Sequence, residues 1–142
     1  MPISFFAEDV KMPELDVLKV KAWINQVVEN NNKETGNINF IFCSDKYLLE
    51  INQKYLNHDY FTDIVTFDYC EENVIAGDIF ISIERVAENA KIFKSGSTEL
   101  FRVIIHGVLH LLGFNDSTPE EQTEMRAKED ECLSTLNPKS LS

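Results

Sequence analysis

HGVLHLLGFND, residues 106–116, is the stretch on which the reading of this chain turns. Two histidines stand four apart in an apolar run. On an α-helix positions i and i+4 share a face, so His106 and His110 can present both imidazoles to one ion. A bare pair at this spacing is equally the mark of two neutral, hydrogen-bonded core histidines, and the continuation separates the two readings. Gly113 can take the left-handed conformation that ends a helix and turns the chain back. Asp116 then returns a carboxylate to the histidine face, with Phe114 packing behind the turn. Two imidazoles and one carboxylate leave a fourth position open, the arrangement expected of a catalytic zinc site holding one ion per chain.

Working outward, ELFRVIIHGVLHLL reads as one apolar helix capped by Ser97 or Thr98. After the turn, Thr118-Pro-Glu-Glu121 combines a cap, an N1 proline and a capping-box glutamate, so another helix follows with a solvated acidic first turn. Upstream, Ser82 is placed to cap IERVAENAKIF, and Ser44 to cap a helix through Tyr47, Leu48, Ile51 and Tyr55. ISFFAED is short and β-rich. NINFIFCS alternates with Ile38, Phe40 and Phe42 on one face, and DIVTFDY and GDIFISI read as two strands joined as a hairpin across ENVIAG. Leu15, Leu18, Ala22, Ile24 and Val28 follow a helical period that ends in the polar cluster ENNNKETGN. The expected order is β, α, β, α, β, β and three helices: an α+β fold with a small mixed four-stranded sheet, about five helices packed on it, and a metal site on a central helix.

Composition bounds the function. The chain has 142 residues, 44% hydrophobic and 26% charged, which suits one domain spanning residues 1–142. No apolar run approaches the roughly 20 residues needed to span a bilayer, and MPISFFAEDV is too short and acidic for a signal peptide, so a soluble, cytoplasmic protein without a membrane partner is expected. Cys43, Cys70 and Cys132 are an odd, widely spaced set that fits a reducing compartment, and all three read as packing residues. A net charge of -11 repels phosphate at long range and argues against general nucleic-acid binding, DNA included. Any RNA contact needs a local basic patch or a metal.

Zinc proteases share the HxxxH spacing, but their general base is a glutamate directly after the first histidine. Here that position is Gly107, so protease chemistry is a minor alternative.

HGVLHLLGFND closely resembles the HGxLHLxGYDH signature of the bacterial YbeY family, metal-dependent endoribonucleases also called rRNA maturation factors. INQKYLNHDYFTDIVTF (51–67) resembles the family segment LNxxYRxxDxPTDVLSF, AGDIFIS (76–82) its GDIxIS strand, and MRAKEDECL (125–133) its closing helix. Together these cover most of the chain from Cys43 to Leu133. The resemblance implies an α+β fold, zinc held by the helical motif, cleavage of single-stranded RNA, and a role on the ribosomal small subunit in rRNA maturation and ribosome quality control.

Two positions depart from the family pattern. The third ligand is usually histidine, and here it is Asp116, an accepted zinc ligand whose harder oxygen leaves the ion less Lewis-acidic and its identity more open. Leu56 stands where the family carries an arginine thought to help cleave RNA, and leucine cannot bind phosphate. Either cleavage is weak, which leaves room for a ribosome-associated assembly protein with a structural metal, or another cation serves. Lys54 and His58 flank the gap, and Arg102, one helical turn before His106, is expected to reach a phosphate at the site mouth. His58 reads either as a surface loop histidine or as an acid or base entering the cleft. Thr62 and Asp63 read as the turn and cap opening a strand, although in the family this segment lines the cleft.

Overall fold

The computed structural model describes residues 3–58, 61–96 and 98–136. Its elements run β1 (Ile3–Ala7), α1 (Val17–Asn30), β2 (Glu34–Cys43), α2 (Asp45–Leu56), β3 (Ile64–Asp68), β4 (Val74–Ser82), α3 (Ile83–Ile92), α4 (Thr98–Leu111) and α5 (Pro119–Ser134). The strands form one sheet in the order β1-β2-β4-β3, with β1 and β4 parallel to β2 and β3 antiparallel to β4. This is the expected mixed α+β fold in the expected order.

The sheet separates two apolar layers because side chains alternate along each strand. On one side Ile38, Phe40 and Phe42 of β2 join Ile79 and Ile81 of β4 in the main core with α1 and α4. On the other side Leu48 of α2 packs with Cys43 and Val65, bordered by Phe67 and Phe80. α4 is apolar nearly all round, and Phe101, Val103, Ile104, Ile105, Val108 and Leu109 are all buried. A helix of that composition takes a central place.

The caps form as read. Ser44, Ser82 and Thr118 each accept a hydrogen bond from the backbone N–H three residues on, and Thr118 and Glu121 close a complete capping box. Thr98 is the first helical residue of α4, while Ser97 lies outside the described residues.

Three details differ from expectation. α1 buries Val20, Trp23, Ile24, Val27 and Val28, whereas Leu18 is 75% exposed and Ala22 faces solvent. Trp23 sets that phase: its indole N–H donates to the Cys132 carbonyl at 3.0 Å and its ring meets Phe101 edge-on. β2 begins at Glu34, inside the polar cluster, because Glu34 and Thr35 pair with Val74 and Ile75. β4 accordingly starts within ENVIAG, and the turn is tightened by a Glu71–Val74 bridge.

All three cysteines are free thiols. Cys43 is buried, and that burial, reinforced by Asp9, Glu8 and Asp45, pushes its thiol up to about 12. No helix among the described residues is long and apolar enough to cross a membrane.

Candidate metal centre

α4 brings His106 and His110 together on one face, with their Nε2 atoms 3.0 Å apart. The helix then ends in a Schellman turn: Gly113 has φ 103°, its N–H donates to the His110 carbonyl, and the Phe114 N–H donates to the Leu109 carbonyl. Phe114 packs against the core behind this turn. The reversal carries Asp116, beyond the helix end, back over the histidines. Its Oδ2 lies 3.3 Å from His106 Nε2 and 3.5 Å from His110 Nε2.

The dimensions of this triangle suit a tetrahedral ion. Zinc–nitrogen and zinc–oxygen bonds of roughly 2.0–2.1 Å give donor-to-donor edges of about 3.3 Å. The three edges here, 3.0, 3.3 and 3.5 Å, bracket that value. The donor set, two imidazole nitrogens and one carboxylate oxygen, therefore fits a divalent metal by chemistry and by spacing.

A residue that no local sequence pattern marks orients the first histidine. Glu129, on α5 and only 6% exposed at its side chain, places Oε2 at 2.6 Å from His106 Nδ1. With Nδ1–H donating to that carboxylate, the lone pair of Nε2 faces the triangle. Arg102 fixes Glu129 in turn: Nη1 donates to Glu129 Oε1 at 2.8 Å and Nη2 to Asp130 Oδ1 at 2.6 Å. Burial pushes the His106 pKa down, but the Glu129 hydrogen bond and charge, with Asp116 and Asp63, outweigh it and hold it above the usual imidazole value. His110 is held below that value by burial and by the charge of His106. Glu129 stays below the usual carboxylate value because its bonds to His106 and Arg102 overcome the cost of burial.

The triangle forms part of the floor of an open cleft of about 580 Å³, walled in part by Leu56, His58 and Asp63. Burial raises the Asp63 carboxyl above its ordinary range, and Asn89 donates to it at 3.3 Å. His58 thus stands at the cleft rather than on a remote surface loop. Lys54 does not line it, and its ammonium sits over the Tyr55 ring. Arg102 is where the helical spacing put it, one turn before His106, but its guanidinium is turned to Glu129 and Asp130 rather than held free at the mouth. Gly107 faces the sheet: a Cβ there would stand 3.0 Å from Ile79 Cδ1 and Cγ2, so the protease glutamate has no room beside this site.

Fold and triangle together define an α+β protein with a candidate metal site, His106, His110 and Asp116, that opens onto a cleft. The chain belongs to the Endoribonuclease YbeY family, whose sequence profile matches residues 5–137. It is 48% identical over 137 residues to the Endoribonuclease YbeY of Parabacteroides distasonis, covering 96% of each chain. It is 53% identical over 118 residues to that of Flavobacterium psychrophilum, covering 82% of this chain and 84% of the relative. The solution structure of TM1509 from Thermotoga maritima superposes with a TM-score of 0.65 at 28% identity, covering 94% of this chain and 90% of that one.

Proposed function

We propose that this protein is a zinc-dependent endoribonuclease that cuts single-stranded RNA and acts in the cytoplasm on small-subunit (16S) rRNA, in its maturation and in ribosome quality control. The observation that supports this most is the triangle of His106, His110 and Asp116, sized for one ion and open to a cleft of about 580 Å³. The relatives named Endoribonuclease YbeY supply the reaction class.

His106, His110 and Asp116 would hold the ion, and a zinc bound there would supply Lewis-acid polarisation of a phosphoryl oxygen. Glu129, bonded to His106 Nδ1, would hold the neutral ring in the ligating tautomer and orientation. His58 lines the cleft wall and would take or give a proton on the RNA.

A second reading, an assembly factor with a structural metal and little catalysis, is favoured by one observation. No lysine or arginine is among the described residues lining the main cleft, and Leu56 occupies the family's arginine position. Incubating the purified chain with a labelled single-stranded RNA and with the same sequence as a duplex, with and without chelator, decides between them. Cleavage of the single strand alone, abolished by chelator and restored by zinc, is the expected result. Bound zinc with no cleavage would establish the assembly-factor reading instead.

A further inference from the structure

Next to the main cleft lies a second pocket of about 260 Å³ that shares Asp63, His106 and Asp116 with it. The candidate metal site therefore sits at the junction of two cavities. A strand crossing the ligands from the first cavity enters the second.

Two side chains of the second pocket remain available. Phe93, which closes α3, is 59% exposed and lines the pocket, and its backbone N–H is tied to the Asn89 carbonyl at 2.9 Å, which anchors the main chain that carries the ring. Arg126, on α5, has a side chain 58% exposed, and its contact with Glu129 is 4.0 Å long. The other arginine of this pocket, Arg102, is 16% exposed and bound by two carboxylates. The pocket's acidic groups are already engaged: Glu129 with Arg102 and His106, Glu99 with the Ser95 hydroxyl, Asp63 with the Asn89 amide, and Asp116 with both histidines. What the pocket offers a ligand is thus an exposed aromatic ring and an exposed guanidinium beside the candidate ion site. That pairing fits a nucleotide, a flat base with a phosphate attached.

We propose that the second pocket is a nucleotide subsite of the RNA strand, in which Phe93 stacks a base and Arg126 binds a backbone phosphate. The proposal rests on the RNA-cleaving reading above and adds to it the cation that Leu56 removes from the main cleft. Leu56 lines the first cavity and Arg126 the second, so strand binding in this chain is weighted toward α5.

The test is fluorescence anisotropy of a labelled, cleavage-resistant 2'-O-methyl oligonucleotide against the full chain in zinc-containing buffer, over a range of salt concentrations. Phe93→Ala is expected to weaken binding about fivefold or more without changing the salt slope. Arg126→Ala is expected to weaken it and to lower the salt slope by about one. Phe93→Trp and Arg126→Lys should keep most of the affinity, which a general loss of structure would not allow. Circular dichroism and metal content should match the parent, since both side chains are more than half exposed. Parent-like affinity in both alanine variants would overturn the subsite while leaving the RNA reading intact. A parent protein that does not bind the oligonucleotide would overturn both.

Discussion

Glu129 Oε2 stands 2.6 Å from His106 Nδ1, so α5 reaches the ligand triangle through a nearly buried carboxylate. Outer partners of this kind are typically worth about 10–100-fold in metal affinity. Glu129→Gln should weaken zinc binding within that range, and Glu129→Ala should also cost about 3 kcal/mol of stability by leaving Arg102 with half its partners. Zinc affinity measured by chelator competition, alongside urea denaturation, checks both.

The same pair gives the metal-free protein a pH signature. His106 has a raised pKa, so its contribution is complete below the ordinary 6.5 and is lost as pH rises through the raised value. Glu129 has a lowered one, so its contribution is complete above the ordinary 4.5 and is lost as pH falls through the depressed value. The pair stabilises the fold most between those two ordinary values. Urea denaturation in chelator should show the largest gap between parent and Glu129→Gln in that window, narrowing on both sides. Zinc affinity should instead climb with pH as His106 gives up its proton.

Gly107 tests the packing under the site. Alanine would gain about 1 kcal/mol of helix propensity but press on Ile79, a kind of overpacking that costs about 1–3 kcal/mol. Gly107→Ala should be mildly destabilising by thermal denaturation. Gly107→Glu should prevent folding, since it would put a charge between Ile64 and Ile79.

Much of the centre is legible in the amino-acid sequence alone. The four-residue histidine spacing, a glycine able to turn left-handed and a carboxylate just beyond it form a local pattern, and local patterns survive in sequence. The caps at Ser44, Ser82 and Thr118 are legible for the same reason. Glu129 is not, because its partner is 23 residues away. Its one trace is a carboxylate on the buried stripe Met125, Glu129, Cys132 of α5. Helical spacing puts Arg102 on the correct face, yet its partners on α5 cannot be read from α4. The phase of α1 depends on the tertiary bond from Trp23 to Cys132, so the helical period alone turns Leu18 inward although it faces water.

Leu56, 39% exposed and on the cleft wall, is expected to accept the family's arginine without strain. Leu56→Arg should bind single-stranded RNA more tightly, raise the salt slope by about one, and change stability by less than about 0.5 kcal/mol. Anisotropy titrations at several salt concentrations measure the first two. An unchanged slope would show that position 56 does not face the strand.

The metal centre stands or falls on Asp116 being a ligand. Zinc titration of the metal-free parent, Asp116→Ala and Asp116→His, followed by chelator competition, measures this directly. The parent should bind one equivalent, the alanine variant should lose the site because two histidines alone leave it incomplete, and the histidine variant should hold zinc at least as tightly as the parent. Full occupancy at parental affinity in Asp116→Ala would contradict the triangle and remove Asp116 from the metal centre.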